Sequence, residues 1–395
     1  MSDSVQPFAN VLFWLCLAAL FYAYAGYPLL LAIIASFKNR PKANLGYFPA
    51  ISVLIAAYNE ESNIRTKIEQ TLSLDYPADK LEILVLSDCS TDGTDEIVKS
   101  FSAQRVRLLR APQRIGKTSV QNLGVEEAHG EILIFSDATT TYHPLALQYL
   151  TANFSDPTVG AAGGRFQYFD QKGNSPTGLG MVAFWSYETL IKILQSRIST
   201  VTGCSGCIYA VRRTVYTPLH PSIISDLVQP LCVVRKGYRV VFEDRAMAYE
   251  ETTRSPKEEF AMRVRVVTRG IRGFLSVGQL FNLFKYPWIS FQLFSHKIMR
   301  WLVPFLLPVL FIATLLLQHH LIYRLLFIAQ LAFYSLALSA FALPLHRVWK
   351  PLTIPLYFCT INIAVVWSVV EVLRGRKYVV WQTVRSSTGR DRVVS

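Results

Sequence analysis

The chain of 395 residues is short of charge: Asp, Glu, Lys and Arg make up 17% of it, against 51% hydrophobic residues. Acid is scarcer than base, 27 residues against 40, which leaves a formal net charge of +13. Cysteine is sparse, with six residues, and Cys204 and Cys207 form a lone C-x-x-C without a second pair or nearby histidines. That pattern argues against a zinc module. Cys16 and Cys359 fall in apolar runs and read as packing residues. There is no G-x-x-x-x-G-K-[ST], because RIGKTS lacks the first glycine, which argues against a transporter or receptor built on a P-loop. No basic run interleaved with aromatics stands beside a recognisable nucleic-acid fold, so the excess of Lys and Arg points to a membrane surface and an anionic substrate, not to nucleic acid. The sequence shows no internal repeat and no low-complexity tract.

What the chain does have is four uncharged stretches: Val11–Phe37, Trp301–Leu317, Leu325–Leu345 and Pro351–Val370. A membrane span needs roughly 20 apolar residues, and about 17 at the least. The first stretch is too long for a signal-peptide core and no small-residue cleavage site follows it, so it reads as a retained anchor. Lys38, Arg40 and Lys42 follow it and favour the cytoplasmic side for what comes next. The aromatic, amphipathic segment 281–300 suits a membrane interface. The expected organisation is an anchor and basic linker at 1–47, a large polar domain at 48–280, the interfacial segment, membrane helices at 301–373 and a basic tail at 374–395.

Within the 48–280 domain, ISVLIAA, LEILVLS and EILIFS are short apolar runs, each closed by a polar turn. Such runs read as strands buried on both faces of a parallel sheet. Strands alternate with helical segments, the pattern of βαβ units and an α/β fold. Asn59 or Ser62 suits the cap of the first helix, and Ser90 or Thr91 that of the second. The second and third runs end in Asp88 and Asp137, and RIGKTSVQN with Lys117 lies between them. Carboxylates at strand ends face the crevice where open α/β sheets bind ligands. Two carboxylate loops and a lysine loop at one sheet edge suit a metal-bound nucleotide diphosphate. Further on, Arg265, Arg269 and Arg272 share one face of a helix.

AAYNE, SDCSTDGT, RIGKTSVQN, SDA, TGCSGCIYAVRR and SDLVQPLCVVRKGYRVVFEDRAMAYEE stand in the order found in membrane-bound family 2 glycosyltransferases. The chain resembles that family over roughly residues 48–275. The resemblance implies a GT-A fold, Rossmann-like and mostly parallel, with flanking transmembrane helices, as in cellulose, chitin and hyaluronan synthases. It implies an inverting hexosyltransferase that uses a UDP-sugar and Mg²⁺ or Mn²⁺. The expected acceptor is a growing cell-surface polysaccharide, and the alternative is a polyprenyl phosphate or other lipid. The expected location is a bacterial inner membrane with the catalytic region in the cytoplasm, among membrane lipids and without nucleic acid.

The same resemblance assigns residues. Ala57, Tyr58, Glu60 and Asp88 would hold uracil and ribose, and Lys117 the diphosphate. Asp137 would be the first aspartate of the metal-binding D-x-D motif, with Thr139 where a second aspartate often sits. Asp226 would be the catalytic base. Gly203, Ser205 and Gly206 would let the backbone approach the sugar, with Cys204 and Cys207 as small fillers. Arg265 and Arg269 are the nearest counterparts of the family's Q-x-x-R-W, and Thr383 and Arg385 match the spacing of a gating segment.

Overall fold

In the computed structural model, residues 5–38, 43–169, 178–251, 256–343 and 350–380 are described. Thr383 and Arg385 lie outside them. The chain opens with α1 (Val5–Phe21) and α2 (Tyr27–Ser36), joined by a π-helical turn at Tyr22–Gly26. The catalytic region then runs β1 (Ile51–Ala57), α3 (Glu61–Leu72), β2 (Leu81–Ser87), α4 (Thr94–Lys99), β3 (Val106–Arg110), α5 (Lys117–Glu127), β4 (Ile132–Asp137), β5 (Thr141–Tyr142) and α6 (Ala146–Ala152). It continues with β6 (Val159–Phe169), α7 (Gly178–Ile198), β7 (Ile208–Arg212), α8 (Ser225–Arg235), β8 (Arg239–Glu251) and α9 (Pro256–Ser276). After these come α10 (Pro287–Leu293), α11 (Met299–Leu316), α12 (Leu321–Ala342) and α13 (Thr353–Leu373).

The eight strands form one sheet in the order β3-β2-β1-β4-β7-β6-β8-β5. The first four are parallel to one another. β7 then runs antiparallel to β4 and β6, so the sheet is mixed but mostly parallel. All seven residues of β1 are buried, as a strand covered by helices on both faces requires. Two apolar layers lie on the two faces: alternation along β1 sends Val53 and Ile55 into one layer and Leu54 and Ala56 into the other. Each buried Val, Leu or Ile contributes roughly 1.5–3 kcal/mol. Phe135 of β4 stacks on Tyr209 of β7 at 4.7 Å between centroids, which fixes the junction where the parallel half meets the antiparallel strand.

Helix capping differs from the expectation. Asn59 has a positive φ of 53°, and its Oδ1 accepts the Thr91 N–H at 2.8 Å, so it ties two loops together and caps nothing. Asp92 does the capping. Its Oδ2 accepts the Glu61 N–H of α3 at 3.1 Å, and its Oδ1 accepts the Thr94 N–H of α4 at 3.1 Å. One carboxylate thereby satisfies orphan donors on two helices and locks the loops after β1 and β2 side by side.

Among the described residues, four helical stretches are long and apolar enough to cross a membrane: Gln6–Ser36, Pro287–Leu316, Leu321–Ala342 and Lys350–Leu373. The second joins α10 to α11 through a π-helical turn at Phe294–Ile298, so most of the segment expected at the interface is continuous with a candidate span.

Candidate active site

A cavity of about 290 Å³ opens at the C-terminal ends of β1 and β4, where a parallel sheet exposes strand-end side chains. Its lining brings together Glu60, Lys117, Asp137, Ser205, Gly206 and Asp226 from segments far apart in the chain. Arg265 and Arg269 of α9 close it from above the sheet edge. Ala57, Tyr58, Asp88 and Gly203 stand outside this lining.

Asp137 is the last residue of β4 and forms an ion pair with Lys117, the first residue of α5. Gly116 precedes that lysine with φ +88°, a conformation glycine adopts without strain. Its N–H, 3.1 Å away, donates to Asp88, as does the Ile115 N–H at 2.7 Å. Asp88 thus holds the lysine loop in place from beneath. Burial pushes the Asp88 carboxyl above its ordinary range, against these two bonds and the nearby Arg114 charge. Arg114 lies over the Tyr58 ring at 3.6 Å.

Asp226 sits in the first turn of α8, a helix that begins without a side-chain cap. Its Oδ1 is buried and has no hydrogen-bond partner, so this carboxylate is not a helix cap. A Cβ on Gly206 would come within 2.7 Å of its Oδ2, so the glycine leaves room for this carboxylate where it stands. Burial raises the Asp226 carboxyl above its ordinary range; the Lys117 charge lowers it and the Asp137 charge raises it again. Burial likewise pushes the Cys204 and Cys207 thiols up to about 12, so they remain protonated filler. Buried Lys192 donates to Ser205 Oγ at 3.0 Å and anchors the loop between them.

The two arginines of the α9 face differ in role. Arg269 donates to Thr118 Oγ1 at 2.8 Å and to the Ile223 carbonyl at 2.6 Å, so it latches α9 onto α5 and the loop before α8. Arg265 turns into the cavity, where burial lowers its pKa and the Asp137 charge raises it.

Several lining residues carry no motif of their own. Phe166 and Tyr168 of β6 and Trp185 of α7 form an edge-to-face aromatic cluster, with centroids 4.4 Å and 5.3 Å from Phe166. Glu250, near the end of β8, accepts the Thr139 hydroxyl at 3.1 Å. Period-2 alternation along β6 and β8 was the available signal, but it does not say which face meets the cavity.

With a strand-end carboxylate, a paired lysine and an unpartnered carboxylate around one cavity, the comparisons decide the family. Residues 52–218 match the family model described as glycosyl transferase family 2. The chain carries a family 2 glycosyltransferase domain. A probable glycosyltransferase of Bacillus subtilis is 27% identical over 284 residues, 66% of this chain and 68% of that protein. A poly-beta-1,6-N-acetyl-D-glucosamine synthase of Staphylococcus aureus is 26% identical over 223 residues, 54% of this chain. The chain spans about half of that synthase, 53% of its length. The solved mannosyltransferase of Pyrobaculum calidifontis, in complex with GDP-Man and Mn²⁺, aligns with 93% of this chain and 100% of its own at a TM-score of 0.67 and 21% identity. That likeness shows the GT-A-type fold. The chain is a glycosyltransferase of the hexosyltransferase type.

Proposed function

We propose that this glycosyltransferase moves a sugar from a UDP-sugar, with inversion, to a growing cell-surface polysaccharide at the membrane. One observation carries the reading: the buried, unpartnered Asp226 oxygen shares a single cavity with the Lys117–Asp137 pair. Inverting transfer needs a base that removes the acceptor's proton as its oxygen attacks the anomeric carbon. Asp226 has that form, and its raised pKa increases its proton affinity. Lys117 and Arg265 place positive charge where a diphosphate would leave. The aromatic cluster of Phe166, Tyr168 and Trp185 presents flat apolar faces suited to a sugar ring. The name of the Staphylococcus aureus relative supports a polymeric product.

Mg²⁺ or Mn²⁺ fits Asp137. The carboxylate already pairs with a cationic ammonium, and Mg²⁺ usually takes one or two carboxylates with phosphates and waters. When bound, such an ion neutralises charge developing on the leaving diphosphate. The Mn²⁺ of the Pyrobaculum calidifontis complex supports the same choice. Purified enzyme in membranes given labelled UDP-GlcNAc, UDP-Glc or GDP-Man should form polymer from one UDP-sugar. EDTA should stop turnover and added Mn²⁺ or Mg²⁺ should restore it. Full activity in excess EDTA would remove the metal, and absence of sugar transfer would remove the function.

A second reading, transfer to a polyprenyl phosphate, has its own support. An apolar groove of about 560 Å³ runs between α9, α12 and α13, lined by Phe260, Tyr334, Leu338 and Ile363 among others, with Lys257 also in its lining. Lipid-linked label in place of polymer in the same assay would favour it.

We further propose that the C-terminus shares the side of the catalytic region. α13 touches that region along its length. Thr353 Oγ1 accepts the Gly180 N–H at 3.2 Å, Tyr357 accepts from Arg263 at 2.6 Å, and Ser368 donates to the Val264 carbonyl at 3.2 Å. Beyond its end, a Cβ on Gly116 would collide with the Val379 carbonyl. A helix crossing the bilayer would carry its far end about 30 Å away from the domain. This arrangement supports three crossings, with α13 docked on the catalytic region and the catalytic region itself in the cytoplasm of a bacterial inner membrane. A reporter active only in the cytoplasm, fused at Ser395, should be active. Activity of a periplasmic reporter there would reverse the assignment.

A further inference from the structure

We propose that Glu250 supplies the second carboxylate for the divalent cation, in place of the acidic residue missing at position 139. The inference rests on the metal-assisted reading above and deepens it. After Asp137 the loop runs Ala138, Thr139, Thr140 and then enters β5. β5 pairs antiparallel with β8, Thr141 opposite Tyr249 and Tyr142 opposite Ala248. The next residue of β8, Glu250, therefore falls beside the loop, 111 residues from Thr139 in sequence, and Thr139 Oγ1 donates to its Oε1 at 3.1 Å. Asp137, Thr139 and Glu250 all line the same cavity. The threonine thus acts as a hydrogen-bond donor that orients a carboxylate from another strand toward the loop.

The chemistry of the donor set agrees. Mg²⁺ and Mn²⁺ prefer hard oxygen ligands, and one or two carboxylates complete a site otherwise filled by phosphates and water. Asp226 is not the second ligand in this scheme, because its oxygen must stay available to take a proton. Lys67 supports the loop from behind: its buried Nζ donates to the Thr140 carbonyl at 2.9 Å and lies 3.8 Å from the Tyr142 ring centroid. The loop is therefore held at two adjacent residues, Thr140 by Lys67 and Thr139 by Glu250, and position 139 needs no carboxylate of its own.

The test reads Mn²⁺ binding directly, by electron paramagnetic resonance of free Mn²⁺ titrated with the full-length protein in detergent with UDP. Loss of partners that merely support a ligand weakens metal binding 10–100-fold, so loss of a ligand should weaken it at least about tenfold. Glu250→Gln keeps an oxygen to accept from Thr139 and should preserve the fold, checked by thermal unfolding, while Mn²⁺ affinity falls at least about tenfold. Asp137→Asn should do the same. Thr139→Asp in the Glu250→Gln background places the carboxylate back on the loop and should recover most of the affinity. If Glu250→Gln binds Mn²⁺ as tightly as the parent, or if Thr139→Asp gives no recovery, the assignment of Glu250 is wrong while the metal reading stands. If the parent itself binds no Mn²⁺ with UDP, the metal reading fails first.

Discussion

Asp226→Asn should lower sugar transfer by at least about a hundredfold, because a positioned base is worth roughly 10²–10⁴-fold. Nucleotide-sugar binding and thermal stability should change little. An acceptor hydroxyl ionises far above neutral pH, so its attack is slow unless the proton leaves in the transition state. Asparagine keeps the size of the side chain but cannot take that proton. Asn and Asp cap helices about equally well, and α8 starts without a side-chain cap in any case. The substitution therefore removes the proposed base with little structural cost. The pH profile adds a second readout. Burial holds the Asp226 carboxyl above its ordinary value, so the base is protonated, and turnover lost, as pH falls through that raised pKa. The acid limb of kcat should lie at higher pH than for an exposed aspartate, and any residual activity of the Asn variant should lack it. Near-normal synthesis by Asp226→Asn would move the base elsewhere. Glu243 is a poor replacement, because it is buried and bound to Arg245 at 2.8 and 3.0 Å.

Glu188→Leu should destabilise the protein by about 3–5 kcal/mol, the usual consequence of leaving buried charges without a partner. Glu188 of α7 is buried and pairs with Arg300, with Lys297 at 3.5 Å and with His296 Nε2 at 3.2 Å. Although burial opposes it, the Arg300 and Lys297 charges hold the Glu188 carboxyl well below the usual carboxylate range. These three partners stand at the join of α10 and α11, so the cluster fastens the catalytic region to a candidate membrane helix. The bonds continue inward: His296 Nδ1 lies 2.9 Å from Thr202 Oγ1, and Gln195 Nε2 meets Tyr27 Oη at 2.8 Å. Thr202 begins the loop that carries Gly206 past Asp226. Loss of Glu188 should therefore lower the unfolding temperature in detergent and weaken catalysis together. A stability change within about 1 kcal/mol would mean that the cluster is solvated and contributes little.

The catalytic region was readable wherever the signal was local. Apolar runs closed by polar turns placed β1, β2 and β4, and therefore the strand-end positions of Asp88 and Asp137, because burial on both faces leaves a continuous hydrophobic run. Four uncharged stretches announced the four long apolar helices for the same reason. Motif order named Asp226 and Lys117 without geometry.

Tertiary structure decided whatever depends on residues distant in the chain. Sequence placed the caps of α3 and α4 on the nearest Asn, Ser and Thr. The fold uses Asp92, because packing the two loops together lets one carboxylate serve both helices. Arg265 and Arg269 look equivalent on a helical wheel, yet α5 and the loop before α8 capture only Arg269. Whether Asp226 was a cap or an unpartnered carboxylate depended on what surrounded it. The pairing of β5 with β8 brings Glu250 to Thr139, and the docking of α13 on α9 sets an apolar helix against the catalytic region. Composition and motif order determined that a membrane-associated α/β transferase was there. The three-dimensional packing determined which charged side chains were consumed in holding it together and which were left facing the cavity, because a side chain's partners are set by the segments folded against it and not by its neighbours in sequence.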